Sequence, residues 1–255
     1  MTDEKEMRQV LANTLAEIAN TDKRIVVLEA DLMGCHATKA FKEAHPDRFV
    51  NVGIAEANMI GIAAGMSAMG KIPFAYSFAP FATRRCYDTI FISVAYAKQH
   101  VKIVGSDPGI MAEANGGTHM PLEDAAMYLS IPQTVVTDPC DYAQLKAVTE
   151  QVADCDCVTY TRFVRKDIIQ VYGDGTEFTL GKGIVLHESD KDQATIITSG
   201  IMVDEALKAY EQLQAEGIAV RVVDMFTWKP LDAALVVKCA AETGAIVTAG
   251  EHKVT

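Results

Sequence analysis

Residues 51–61, with the sequence NVGIAEANMIG, contain the end of an apolar strand followed at once by an apolar helix. The strand pattern ends near Ile54, so Glu56 falls in the first turn of the helix. In a parallel sheet, ligands bind at the edge formed by the carboxyl ends of the strands, and this turn lies at that edge. The carboxylate of Glu56 is either a helix-terminal charge favoured by the helix dipole or a functional acid in an apolar site, and the residues alone leave both interpretations open.

The same alternation of short apolar strands and longer helices continues on both sides of this segment, which is typical of a parallel sheet covered by helices on both faces. It predicts strands at residues 25–29, 49–54, 72–76, 101–105, 133–136 and 158–162, and helices at 6–19, 55–69, 81–98, 122–129 and 142–153. We therefore expect residues 1–165 to form one α/β domain.

Residues 166–193 are rich in turn-forming residues and are predicted to be a linker. A second alternation follows in residues 194–255, with predicted strands at 194–198, 220–224 and 245–249 and predicted helices at 203–215 and 233–241. This pattern indicates a smaller α/β domain. Because no helix follows the last strand to cover the sheet, we expect this second domain to be partial.

The composition excludes several classes of function. A net charge of −11 and a pI near 5.0 argue against a nucleic-acid partner. No apolar run reaches the length of about 18 residues that a membrane span needs. The six scattered cysteines form no zinc motif, and we interpret them as reduced thiols of a cytoplasmic protein.

Three more polar or aromatic segments follow predicted strands and should reach the same edge of the sheet as Glu56. Phe78 and Phe81 could form a wall against a flat heteroaromatic ring, or belong to the core. His119, in a glycine-rich loop, suits acid–base chemistry, substrate binding or a structural hydrogen bond. Arg162 could bind a phosphate or carboxylate, or pair with an acidic neighbour. The convergence of four such segments predicts an active site.

In this order, these residues resemble the pyrimidine-binding domain of transketolases. The resemblance is carried by residues 30–32, 53–56, 78, 81, 117–119, 162 and 165, while residues 222–232 and 250–252 resemble the transketolase carboxy-terminal domain. The chain length matches the form of the enzyme that is split into two chains. The resemblance implies thiamine-diphosphate-dependent transfer of a two-carbon ketol unit from a ketose to an aldose.

The resemblance also implies a role for each matching residue. Glu56 would hydrogen-bond the N1′ atom of the aminopyrimidine while protonated or sharing a proton, which suits an apolar pocket. The other implied roles are an aromatic pocket around the pyrimidine for Phe78 and Phe81, a dimer contact near the cofactor for Asp31, a contact to the donor sugar for His119, and a grip on the acceptor phosphate for Arg8 and Arg162.

The metal-binding motif of the family has no counterpart in this sequence. Transketolases hold Mg²⁺ and the diphosphate with Gly-Asp-Gly followed by Asn. Gly173-Asp174-Gly175 occurs in the predicted linker, but no Asn follows it, so we interpret it as a turn. The resemblance therefore implies a partner, an amino-terminal diphosphate-binding subunit, in an α2β2 heterotetramer.

Two departures from the family pattern affect the expected substrate. Asp107 replaces a phosphate-binding histidine, and Asn115 replaces a carboxylate that reads sugar hydroxyls. We therefore expect altered specificity among sugars and sugar phosphates, with a less usual or unphosphorylated acceptor. A deoxyxylulose-phosphate-synthase-like enzyme, a 2-oxo acid dehydrogenase β subunit and a non-catalytic regulatory partner remain alternatives.

Overall fold

Six parallel strands form most of a seven-stranded sheet in the computed structural model, which describes residues 6–166, 168–173 and 175–253. The strands are β1 (Ile25–Glu29), β2 (Phe49–Asn51), β3 (Ile72–Phe78), β4 (Lys102–Ser106), β5 (Val135–Thr137) and β6 (Thr159–Phe163). Their spatial order is β5-β6-β4-β3-β1-β2, and every pair in this series is parallel. All six carboxyl ends therefore lie at one edge, which we call the carboxyl rim.

Helices cover both faces of this sheet, as the fully buried strands β1, β3, β4 and β6 require. They are α1 (Met7–Thr21), α2 (Met33–His36), α3 (Lys39–Ala44), α4 (Glu56–Ala68), α5 (Ala79–Ala82), α6 (Tyr87–Thr89), α7 (Asp124–Leu129) and α8 (Tyr142–Asp154). The apolar sides of α1 and α8 pack on one face of the sheet, and α4 packs on the other. Alternate strand residues supply the two cores because successive side chains point to opposite faces.

The helix predicted at residues 81–98 is broken in the structure. It consists of α5, a 3₁₀ turn at Arg84–Cys86, α6 and a π-helical segment at Ile90–Tyr96. Pro80 lies in the first turn of α5, where a missing N–H costs little. The breaks bring Phe78, Phe81 and Arg85 close together at the carboxyl rim.

A second sheet of four strands lies in the carboxy-terminal part of the chain. Its strands are β7 (Ile184–His187), β8 (Ala194–Thr198), β9 (Val220–Asp224) and β11 (Ile246–Thr248), in the order β11-β8-β9-β7, with helices α9 (Met202–Ala215) and α10 (Ala233–Glu242) between them. Strand β7 belongs to the segment predicted as a linker and pairs antiparallel with β9. The linker residues thus contribute a strand to the second sheet.

One strand of the carboxy-terminal part joins the first sheet. Strand β10 (Thr227–Lys229) pairs antiparallel with β5 and completes the seven-stranded sheet. The predicted fold class is confirmed: a large, mainly parallel α/β sheet is followed by a smaller one. Among the described residues, no helix combines the length and the hydropathy that crossing a bilayer would require.

Candidate active site

Glu56 is the first residue of α4 and lies at the carboxyl rim, as the sequence predicts. Its side chain is 1% exposed and accepts a hydrogen bond of 3.2 Å from Ser77 Oγ. Arg85 Nη1 donates to both carboxylate oxygens, at 2.8 Å each. The apolar pocket that the sequence indicates for Glu56 thus also contains a guanidinium, which covers the carboxylate. No role was predicted for Arg85 from the sequence.

Three aromatic rings lie together beside Glu56. The ring centroids of Phe78 and Phe81 are 6.2 Å apart, and the ring of His119 lies 5.6 Å from Phe78 and 5.0 Å from Phe81. All three contacts are edge-to-face, the arrangement that aromatic quadrupoles favour. The loop between β4 and α7 thus brings His119 to the two phenylalanines that follow β3.

Asp107 follows β4 and is 2% exposed, with a left-handed φ of 52°. Its carboxylate forms an ion pair with the side chain of Arg165 and accepts a 3.2 Å hydrogen bond from the Arg165 backbone N–H. The Arg165 guanidinium carbon also lies 4.7 Å from the Phe78 ring centroid. The negative charge that Asp107 adds to the site is therefore countered by Arg165.

Arg162 lies in the interior of the protein. Its side chain is 1% exposed, with Nε 3.2 Å from an oxygen of Asp124 and 3.9 Å from one of Asp138. The guanidinium carbon is 5.2 Å from the ring centroid of Trp228, which lies in β10. The pairing with acidic neighbours corresponds to the structural alternative that the sequence leaves open for Arg162. Of the two arginines in the matched segment, Arg165 is the one beside the ring cluster.

The remaining predicted residues lie around the outside of the rim. Arg8 pairs with Glu6 at 2.7 Å, and its backbone N–H donates to the carbonyl of Arg165. Asp31 is exposed and exchanges two hydrogen bonds with Asn51, at 3.0 and 3.1 Å. Asn115 is exposed in a 3₁₀ turn. The structure thus places Arg8 near Arg165, and leaves Asp31 and Asn115 facing solvent.

A buried polar network that was not predicted from the sequence lies beneath the rings. His36 Nδ1 contacts both oxygens of Glu29 at 3.1 and 3.0 Å, and its Nε2 lies 3.0 Å from Ser106 Oγ. The His36 ring is also 5.8 Å from that of Phe78. The network ties the end of β1 to the end of β4 and supports Phe78 from below. In the sequence, this network is indicated only by a histidine, His36, that lies seven residues after the end of β1.

The carboxy-terminal segment reaches the loop that carries His119. Glu251 accepts a 2.6 Å hydrogen bond from the backbone N–H of Ile110, and the backbone N–H of Lys253 donates to the carbonyl of Leu122. Gly109 has a φ of 61° and packs against the Glu251 side chain so closely that a Cβ atom would overlap it. Burial raises the pKa of Glu251 to about 7.

The raised pKa of Glu251 makes stability depend on pH. Between the unfolded pKa and the folded value of about 7, the folded state binds more protons at this group, so stability falls as the pH rises through that range. Replacing Glu251 by Gln should remove this loss. The free energy of unfolding of the variant, relative to the unaltered chain, should therefore be about 1 kcal/mol higher at pH 8 than at pH 5. This figure is reduced because Glu251 is only half-buried. Urea unfolding of both proteins at the two pH values measures the difference. If the substitution changed the free energy of unfolding equally at both pH values, the raised pKa of Glu251 would be contradicted.

Side chains that could bind a metal ion do not cluster in the part of the chain that the structure describes. Residues 6–166, 168–173 and 175–253 contain no group of three or more His, Cys, Asp or Glu side chains that could hold a metal ion. Asp174 of the Gly-Asp-Gly sequence lies outside the described residues. The neighbouring Thr176 N–H donates to the Gly173 carbonyl at 3.3 Å, as in a turn.

Comparison with known families agrees with the fold. The family model described as "Transketolase, pyrimidine binding domain" matches residues 3–168, and that described as "Transketolase, C-terminal domain" matches residues 181–255. The α/β architecture and the two matches together define the class, and the chain belongs to the transketolase family.

Individual relatives include split forms of the enzyme. The chain is 47% identical to the "6-deoxy-6-sulfo-D-fructose transketolase subunit SqwH" of Clostridium sp. (strain MSTE9), over 97% of this chain and 76% of the relative. It is 35% identical to the transketolase of Rattus norvegicus, over 96% of this chain but only 39% of that protein. A solved structure described as "Split gene transketolase, inactive beta4 tetramer" superposes with a TM-score of 0.89 at 42% identity, covering 97% of this chain and 79% of that one.

Proposed function

We propose that this chain is the cofactor-activating subunit of a thiamine-diphosphate-dependent enzyme that transfers a two-carbon ketol unit from a ketose to an aldose. The observation that carries the proposal is the position of Glu56. It is a buried carboxylate at the start of a helix, on the carboxyl rim, next to a cluster of three aromatic rings. Membership of the transketolase family supports the same conclusion.

The side chains at the rim fit an aminopyrimidine. A guanidinium, which is a planar group with N–H donors, already lies against Phe81 and donates to Glu56. The same acceptor and the same ring face suit a planar heteroaromatic ring that carries N–H groups. In the proposed complex, Glu56 would hold the pyrimidine through N1′, with Phe78 and Phe81 beside it.

Bound thiamine diphosphate would supply a nucleophilic carbon and an electron sink for the ketol unit. Glu56 would hold a proton at N1′, in a site where the phenylalanines exclude water. His119, in ring contact with Phe81, would contact the hydroxyls or carbonyl of the donor sugar. Asp31 would lie near the subunit contact around the cofactor.

The diphosphate and Mg²⁺ would be held mainly by a partner, the amino-terminal transketolase subunit, in an α2β2 assembly. Ile54, two residues before Glu56, is 77% exposed, which supports a covering partner at the rim. The relative from Clostridium is named as a subunit, and the split-gene structure is described as an inactive tetramer of β chains. Both descriptions support activity only in a complex.

The donor in this proposal carries a monoanionic terminal group such as a sulfonate. The Asp107–Arg165 pair is neutral overall, and the Arg8–Glu6 pair beside it is neutral too. Such a site suits one negative charge better than the charge of −1.5 to −2 that a phosphate monoester carries near pH 7. The name of the relative at 47% identity, which specifies a sulfonated fructose, supports this substrate class. Asn115 would contact the sugar hydroxyls.

The donor assignment is tested with the chain reconstituted with its amino-terminal partner, thiamine diphosphate and Mg²⁺. We expect ketol transfer from 6-deoxy-6-sulfofructose with a kcat/KM about tenfold or more above that for fructose 6-phosphate, since about 1.4 kcal/mol of discrimination suffices. Fructose is the uncharged control, and the isolated chain should show no turnover. Equal use of the phosphorylated donor would contradict the substrate class, and turnover by the isolated chain would contradict the need for a partner.

We also propose a division of the chain into a pyrimidine-binding domain at residues 1–165, a linker at 166–193 that includes strand β7, and a carboxy-terminal domain at 194–255. The two family matches, to residues 3–168 and 181–255, support this order. The proposed location is the cytoplasm. All six cysteines are free thiols, as is usual in a reducing compartment.

A further inference from the structure

Arg85 occupies the space in front of Glu56. Its Nη1 atom lies 2.8 Å from each carboxylate oxygen, and its guanidinium carbon lies 3.9 Å from the centroid of the Phe81 ring. One side chain thus covers both the acceptor and the aromatic face. The Arg85 side chain is itself 44% exposed, so it can leave this position without breaking the core.

The contacts of Arg85 satisfy a carboxylate that is otherwise buried. Apart from Arg85, Glu56 accepts a hydrogen bond from Ser77, at 3.2 Å. Burying a charge without a partner is costly, whereas a charge-assisted hydrogen bond to a guanidinium offsets that cost. Arg85 therefore holds Glu56 and Phe81 in place.

A planar ligand cannot share this space with the guanidinium. A ring that stacks on Phe81 and donates an N–H to Glu56 needs the ring face and the carboxylate oxygens that Arg85 contacts. Two planar groups cannot occupy one stacking position 3.9 Å above the same ring. Either Arg85 leaves when such a ligand binds, or the ligand does not use both contacts.

We propose that Arg85 is a displaceable latch on Glu56, whose departure is required for the aminopyrimidine of the cofactor to bind. This inference rests on the proposed function, because it takes Glu56 to be the pyrimidine acceptor. Only molecules with an open latch can bind the cofactor, so the apparent Kd equals the intrinsic Kd divided by the fraction of open molecules. It also keeps the buried carboxylate paired in molecules that hold no cofactor.

The test measures the Kd of thiamine diphosphate by calorimetry, with Mg²⁺ and the chain reconstituted with its partner subunit. Arg85→Met removes the N–H donors that tie residue 85 to Glu56, so its side chain is no longer held over Phe81. We expect this variant to bind the cofactor about five- to tenfold more tightly than the unaltered complex, as the opening equilibrium is removed. Arg84→Met is the matched control: Arg84 pairs with Glu123 at 3.0 Å, and its loss should leave the Kd unchanged.

Unchanged or weaker binding by Arg85→Met would overturn the latch. Glu56→Gln distinguishes failure of the latch from failure of the proposed function: if this variant keeps the kcat of the unaltered complex, the proposed function fails, whatever Arg85 does. A second measurement uses the unaltered complex and therefore does not depend on the folding of a variant. In the unaltered complex, phenylglyoxal should modify Arg85 faster once cofactor is added, as followed by peptide mass spectrometry with Arg84 as the internal reference, and no acceleration would also overturn the latch.

Discussion

Replacing Glu56 by glutamine in the reconstituted complex lowers the kcat of ketol transfer by about 10³-fold, within the range that general acid–base groups contribute. Glutamine keeps the size of the side chain and can still accept a hydrogen bond through its amide oxygen. It cannot hold a proton at the carboxyl position, which is the role proposed for Glu56. Initial rates at saturating donor and cofactor measure the loss.

Ser77→Ala is the control for this effect. Ser77 Oγ donates to the same carboxylate at 3.2 Å but has no proposed contact with the reacting groups. Its loss should change kcat less than about tenfold, because the carboxyl group proposed to act on the cofactor remains and a single hydrogen bond contributes on the order of 1 kcal/mol. A Glu56→Gln complex that keeps most of its rate would favour a non-catalytic role for the chain.

Replacing Arg162 by methionine destabilises the chain by about 3 to 5 kcal/mol, the usual cost of breaking a buried ion pair. The substitution leaves Asp124 and Asp138 as buried carboxylates without their common cation. Methionine retains contact with Trp228, so the loss measures charge rather than volume. Urea unfolding at pH 7 gives the change in the free energy of unfolding.

Arg24→Met provides the matched exposed case. Arg24 pairs with Asp22 at 2.7 Å, but its side chain is 60% exposed. Exposed pairs contribute little, so its loss should not exceed the error of the measurement. If Arg162→Met were equally harmless while weakening substrate binding, the phosphate-contact role expected from the sequence would be favoured over the structural one.

Much of the fold could be predicted because buried parallel strands have a strong local pattern. The structure has strands at the predicted bounds for Ile25–Glu29, Ala194–Thr198 and Val220–Asp224. Strands β7 and β10 could not be found in this way. Each has four residues or fewer, and each exists because of a partner strand far along the chain.

The sequence could predict those site residues whose location is set by the end of a nearby strand. Glu56, Phe78, Phe81 and His119 reach one region because each follows or is carried by a strand of the same sheet. The surroundings of Arg162 instead include Trp228, which is 66 positions away in the chain and joins the same sheet through β10. The Arg85 contact depends on breaks in a segment whose apolar pattern predicts one continuous helix.

Strand β10 has a consequence for how this protein can change during evolution. Because residues of the carboxy-terminal part complete the sheet of the first part, the two parts share hydrogen bonds between β10 and β5 as well as the Trp228–Arg162 contact. A carboxy-terminal part taken from a distant relative would have to reproduce this pairing register and this aromatic contact. The two parts are therefore expected to be inherited and to diverge as one unit, even though the family models treat them as separate modules.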